Sequence, residues 1–175
     1  MTRIFLIGYM GAGKTTLGKV LSKKMHLSFI DMDQYIEERF HRSVRQIFAE
    51  SGEEMFRNIE RNILHEVGCF EDVVVATGGG VPCFFDNMQY MNSIGDTVFL
   101  SVNENVLYNR LKLAVHTRPV LKGKNGDDLR AFIHEGLQKR LPYYSQAKHT
   151  FCADELENRE QIVRSADRFR SMLVL

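Results

Sequence analysis

At 175 residues the chain has the length of one compact domain, taking roughly 150 residues per domain as the norm. Hydrophobic residues make up 44% and charged residues 26%, close to the averages of globular domains, which argues against a disordered, collagen-like or coiled-coil chain. Lys plus Arg number 23 against 22 Asp plus Glu, a formal charge of +1 without a basic tail, so no nucleic-acid partner is indicated and any anion site must be local.

The run Ile4 to Ile7 is apolar throughout and stops at Gly8, which predicts a buried strand of a parallel sheet. Leu17, Val20, Leu21 and Met25 then fall at helical spacing, so strand gives way to helix inside the loop Gly8 to Lys14. A second strand is predicted over Leu27 to Ile30. Ser43 with Gln46 and Ser51 with Glu54 have capping-box spacing, marking two helix starts around a small helical insertion. Met55, Ile59, Ile63 and Val67 are the expected buried stripe of the second. Val73 to Ala76 and Thr97 to Ser101 read as interior strands, and Thr150 to Cys152 as a weaker fifth. Asn103 is placed to cap a helix carrying Val106, Leu107 and Leu111, and Asp127 one carrying Leu129, Phe132, Ile133 and Leu137. Ile162, Val163, Ala166, Phe169 and Leu173 suit a closing amphipathic helix. Alternating strands and helices predict an α/β domain with a parallel sheet covered on both faces. Between Leu113 and Asp128 the pattern lapses into a Gly- and Lys-rich segment, either a lid or a solvated loop.

Cys69, Cys83 and Cys152 are far apart and lack CxxC spacing, which argues against a disulfide framework or a zinc site and fits a reducing compartment. The histidines are scattered without an HExxH pattern, so His26 and His65 read as helix or loop residues and no metal is assigned to histidine. No signal-peptide cleavage pattern follows Gly8, and no run approaches the ~18 apolar residues of a membrane span. A cytoplasmic protein without membrane association is expected.

Gly8-Tyr9-Met10-Gly11-Ala12-Gly13-Lys14-Thr15 matches GxxxxGK[ST] between a predicted strand and a predicted helix. Glycines there let backbone N–H groups curl around a polyphosphate, Lys14 adds a mobile positive charge, and Thr15 offers a hydroxyl to Mg²⁺. Asp31 and Asp33 follow the second strand; read as extended chain, their carboxylates point the same way, one for magnesium and one for a substrate, with helix capping as the alternative for either. Thr77-Gly78-Gly79-Gly80 either admits a ligand close to the backbone or simply turns the chain. Arg57 and Arg140, each among apolar or aromatic neighbours, suit a carboxylate or phosphate, although singly each reads as a surface salt bridge, Arg57 with Glu60 at i,i+3.

Together these residues resemble the shikimate kinases, P-loop small-molecule kinases related to the nucleoside monophosphate kinases. The resemblance is carried by the GYMGAGKTT loop, Phe29 to Asp33, Ile47-Phe48 through Gly52-Glu53 to Phe56 to Glu60, the Thr77 to Gly80 turn, Arg118-Pro119 and Arg140 to Tyr144. It implies a three-layer P-loop kinase fold with a five-stranded parallel sheet of order 2-3-1-4-5. It also implies a substrate-binding insertion at about 32–62 and a lid at about 113–128. The implied reaction moves the γ-phosphoryl group of ATP to the 3-hydroxyl of shikimate, with Mg²⁺, in a monomer. By the same resemblance Gly11, Ala12, Gly13, Lys14, Thr15, Thr16, Arg110 and Arg118 bind nucleotide, with Arg118 the lid arginine and Arg110 on the adenine side. Thr15 holds magnesium directly and Asp31 through water. Asp33 partners the acceptor hydroxyl, Arg57 and Arg140 clamp the carboxylate, and Gly79 and Gly80 contact substrate through backbone. Lys14, Asp33 and Arg118 are the implied catalytic residues. Ala153 to Arg159 has no clear counterpart of the family's adenine loop, so no adenine contacts are assigned there.

Since a phosphate loop does not choose a substrate, a kinase of another acceptor such as gluconate or a nucleotide is a competing reading. A nucleotide-binding module without turnover is a third, opposed by Lys14, Thr15, Asp31, Asp33 and Arg118 all being present.

Overall fold

The computed structural model describes residues 1–115 and 119–173. Five parallel strands, β1 (Arg3–Ile7), β2 (Ser28–Asp31), β3 (Val73–Ala76), β4 (Asp96–Ser101) and β5 (His149–Cys152), form one sheet in the order β2-β3-β1-β4-β5. Each face of the central strand builds a different core. Ile4 and Leu6 meet Leu17 and Leu21 of α1 (Lys14–Met25) and Ala166 and Phe169 of α7 (Arg159–Leu173). Phe5 and Ile7 join the larger core under α2 (Met32–Phe40), α3 (Val44–Val67), α4 (Asn87–Ile94), α5 (Glu104–Leu113) and α6 (Gly126–Tyr144). A strand buried on both sides has no polar face, which is why β1 and β3 read as unbroken apolar runs. The predicted three-layer fold and strand order are those observed.

Register decides where function goes. Leu6 and Asp31 both pair with Ala76, so β1, β2 and β3 end at one level, and the loops that leave them begin side by side. The chain also reverses its direction of sheet growth at β1, whose neighbours are β3 and β4, and such a switch point opens a crevice at the strand carboxyl ends.

Local expectations met mixed outcomes. Ser43 and Gln46 make the capping box in full, with Ser43 N donating to Gln46 Oε1 (2.9 Å) and Gln46 N to Ser43 Oγ (3.2 Å). Asn103 caps α5 by accepting from Asn105 N at 2.9 Å. Ser51 and Glu54 form no such box: Gly52 breaks the long helix instead, with φ 77° and ψ 171°, a left-handed-side φ that glycine adopts without steric cost. The stripe beyond this kink is also turned. Met55 is 54% exposed and Ile59 half-buried, while Phe56, Glu60, Ile63, Leu64 and Val67 face inward. Asp127 lies inside the first turn of α6, and Asn125 occupies the cap position without a side-chain bond. β2 starts and ends one residue later than predicted, because Asp31 itself still pairs with β3.

The Ser43 box orders the entry to α3, so Ser43→Ala should lower stability by about 1 kcal/mol. Urea unfolding of both proteins measures it, and an unchanged midpoint would mean that the box contributes nothing.

Candidate active site

The level strand ends frame a cleft of about 560 Å³, lined among others by Lys14, Thr15, Asp31, Asp33, Arg57 and Arg140. This lies within the size range of small-molecule sites. One wall is the phosphate loop. Gly8, Gly11 and Gly13 take φ values of 148°, 80° and 93°, so the loop curls in a way that side chains would oppose. Gly13 passes directly to α1, whose first-turn amides and dipole end attract an anion. A Cβ on Gly13 would sit 2.3 Å from Leu156 Cδ1, a second reason for glycine there. Lys14 donates from Nζ to the carbonyls of Gly8 (2.7 Å) and Tyr9 (2.9 Å), which holds its charge over the loop. Ala12 is 1% exposed and packs into the core, leaving the loop's backbone as its binding surface, while Thr16 stands at the rim.

Thr15 Oγ1 donates to Asp31 Oδ2 at 2.5 Å, joining β2 to the start of α1. Asp31 also caps α2, its Oδ1 accepting from Asp33 N (3.1 Å) and Gln34 N (3.3 Å). The extended reading of Asp31-Met32-Asp33 is therefore corrected: Asp31 ends the strand and Asp33 lies in the first turn of α2. Both nonetheless line the cleft. A hydroxyl and two nearby carboxylates are hard oxygen donors of the kind Mg²⁺ takes, with one or two carboxylates sufficing beside phosphate oxygens. Among the described residues no group of three or more His, Cys, Asp and Glu suits a metal held by protein alone.

The opposite wall is built on the Thr77 to Gly80 turn. Thr77 anchors it through N and Oγ1 to Leu6 O (3.1 and 3.2 Å). A Cβ on Gly78 would lie 3.1 Å from both Asp33 Oδ1 and Glu60 Oε1, one on Gly79 3.4 Å from Gly8 O, and one on Gly80 2.6 Å from Arg57 Nη1. The three glycines thus allow two carboxylates, the phosphate loop and a guanidinium to close around one turn.

Arg57 is not the surface ion pair that its i,i+3 spacing suggests. Its guanidinium donates to Glu60 Oε2 at 2.6 Å and Glu53 Oε1 at 3.3 Å, and it lies over the rings of Phe84 (4.3 Å) and Phe56 (5.5 Å). Glu60 is 3% exposed, and burial lifts its carboxyl from an ordinary 4.5 to about 7 against the lowering pull of Arg57, with Asp33 and Glu53 adding to the rise. Arg140 has no carboxylate partner among the described residues: Nη1 donates to Gly136 O at 2.8 Å, and the guanidinium sits 5.4 Å from the Tyr9 ring centroid. Both arginines line the same cleft. Arg110 does too, but its donors are spent on Gly11 O (3.1 Å), Ala153 O (2.9 Å), Asp154 O (3.0 Å) and Glu157 (2.7 Å). It pins the 153–157 loop to the phosphate loop. Arg118 lies outside the described residues. Sequence reasoning missed Glu60 as a buried site residue and Phe84 as the partner of Arg57. No feature of the sequence singles them out, because a glycine at position 80 serves a turn as readily as a close neighbour.

A family model described as shikimate kinase matches residues 10–169. A shikimate kinase of Phocaeicola vulgatus is 62% identical over 173 residues, covering 99% of each chain. The crystal structure of shikimate kinase from Bacteroides thetaiotaomicron superposes with a TM-score of 0.97 at 56% identity, covering 99% of both chains. That of shikimate kinase from Acinetobacter baumannii in complex with shikimate gives 0.86 at 27% identity, covering 99% of this chain and 93% of the other. With the phosphate loop, the oxygen donors and the arginine-lined wall in one cleft, these likenesses establish that the chain belongs to the shikimate kinase family.

Proposed function

We propose that this chain transfers the γ-phosphoryl group of ATP to the 3-hydroxyl of shikimate, yielding shikimate 3-phosphate and ADP. The observation that carries the reading is that a single cleft is lined by the phosphate loop, by Asp31 and Asp33, and by Arg57 and Arg140. Phosphoryl transfer through a loose transition state asks for in-line placement and neutralised charge, and little covalent chemistry. Gly11, Ala12, Gly13 and Thr16 bind phosphate through the loop and helix end, and Lys14 moves from loop carbonyls onto phosphate oxygens. Thr15, directly, and Asp31, through water, would hold Mg²⁺, which would neutralise phosphate charge when bound. Asp33 orients the acceptor hydroxyl and takes its proton. Arg57 and Arg140 bind the carboxylate, while Gly79 and Gly80 bring backbone within reach of the ring. Arg110 supports the adenine side, and Arg118 closes on the phosphates from a lid at about 113–128. The insertion at about 32–62 forms the acid-binding side. Closure excludes water, which would otherwise hydrolyse ATP. The protein acts as a cytoplasmic monomer in aromatic amino acid synthesis.

The two ends of the cleft are separable by experiment. Arg140 is the cleaner probe, because Arg57→Ala would also strand the buried Glu60 carboxylate, a cost of several kcal/mol to folding. In an assay of ADP release, wild type should depend on shikimate and Mg²⁺. Arg140→Ala should raise the shikimate KM by about two decades with little change for ATP. Asp33→Asn should act chiefly on kcat, losing on the order of 10²–10⁴. Turnover with gluconate exceeding that with shikimate, or an ATP defect alone in Arg140→Ala, would overturn the assignment.

Glu60 also makes stability depend on pH. Its folded pKa of about 7 lies above the ordinary 4.5, so the folded chain holds the extra proton between those values. That contribution is complete below pH 4.5 and is lost as pH rises through 7. Wild type should therefore lose on the order of 3 kcal/mol relative to Glu60→Gln between pH 4.5 and 7.5. Parallel denaturation curves for the two proteins across that range would contradict it.

A further inference from the structure

Three residues of α6, Gly136, Arg140 and Tyr144, stand at i, i+4 and i+8 and so lie one above another on one face. Each has a distinct neighbour across the cleft wall. Gly136 leaves room for the Tyr9 side chain, whose Oη would be 2.4 Å from a Cβ placed there. Arg140 bonds the Gly136 carbonyl, which makes the aim of its guanidinium a property of the helix itself. Tyr144 is fully buried, its ring tilted against Phe99 of β4 at 5.2 Å between centroids, and its hydroxyl donates to Gly79 O at 2.6 Å. Gly79 leads to Gly80, against which the Arg57 guanidinium lies.

A continuous line of contact thus runs from Arg140 along α6 to Tyr144, through one hydrogen bond to the Gly79 carbonyl, and on to Arg57. The two arginines are carried on different helices, α3 and α6, which also share a core and both pack against the short Val81–Cys83 helix that follows the glycine turn. We infer that Tyr144 is a positioning residue for the acid end of the cleft: its hydroxyl ties the helix that carries Arg140 to the glycine turn that abuts Arg57, and so sets the separation of the two guanidinium groups. This rests on the reading that those groups receive the substrate carboxylate. A carboxylate offers two equivalent, charged acceptor oxygens to two guanidinium groups, whereas its methyl ester is neutral and has one oxygen blocked by a methyl group, so correctly placed arginines favour the acid. Tyr144 itself touches no substrate in this account.

Tyr144→Phe removes one oxygen and keeps the ring. Shikimate and its methyl ester should be titrated onto wild type, Tyr144→Phe and Tyr143→Phe, with ATP affinity and thermal unfolding followed in parallel. Wild type should prefer the acid. Tyr144→Phe should bind the acid about fivefold more weakly and the ester equally well, with ATP affinity unchanged, whereas Tyr143→Phe should match wild type. Equal losses for acid and ester would show a structural role only, and an undiminished acid preference would show no role; either overturns the inference. No acid preference in wild type would overturn the carboxylate reading itself, and this inference with it.

Discussion

The site depends on a register. β1, β2 and β3 stop at the same level because Leu6 and Asp31 share Ala76 as their partner, and parallel strands propagate that alignment to whatever follows them. The phosphate loop, the Asp31 carboxylate and the glycine turn therefore leave the sheet side by side. Thr15 donating to Asp31, and Thr77 to Leu6 O, lock the arrangement at two points. A one-residue slip of β2 would send Asp31 to the opposite face of the sheet and separate it from Thr15.

Crowding around the glycine turn is the second constraint. Asp33, Glu60 and Arg57 crowd within a few ångströms of positions that a methyl group would fill. Of the two carboxylates Asp33 stays exposed, but Glu60 is buried, and a buried carboxylate is costly unless paired. Glu60 meets the cost partly by pairing with Arg57 and partly by holding its proton more tightly. The aromatic rings of Phe56 and Phe84 replace water over the Arg57 faces, which fixes the fork without consuming its donors. Arg140 is held more lightly, by one carbonyl and one ring. The wall is thus asymmetric, with one arginine built in and the other carried on a helix.

What could be read from the sequence follows from the range of the interaction concerned. The GxxxxGK[ST] loop, the Ser43 box and the apolar runs of β1 and β3 are local and lie where expected, whereas β2 is shifted by one residue and the equally local Ser51 box and Asp127 cap do not form. The family resemblance extended this to Asp33, Arg57, Gly79, Gly80 and Arg140, which share the cleft although up to 107 positions separate them. Contacts between distant segments were not legible. Glu60 looked like the surface partner of Arg57 because spacing on a helix says nothing about what covers it. Met55 entered the predicted stripe because strict i,i+4 steps drift by about 40° each against the 3.6-residue period, so a stripe buried at Ile63 and Val67 has turned toward solvent by Met55. Tyr144 was only one member of an aromatic motif until β4 and the glycine turn came against it.

The central claim is that the cleft aligns one particular hydroxyl of shikimate with the terminal phosphate. The most direct measurement is proton–phosphorus correlation NMR of the product formed from shikimate, ATP and Mg²⁺. A single phosphomonoester should form, its phosphorus coupling to the proton on C3. Coupling to the proton on C4 or C5, or release of inorganic phosphate with shikimate unchanged, would contradict it.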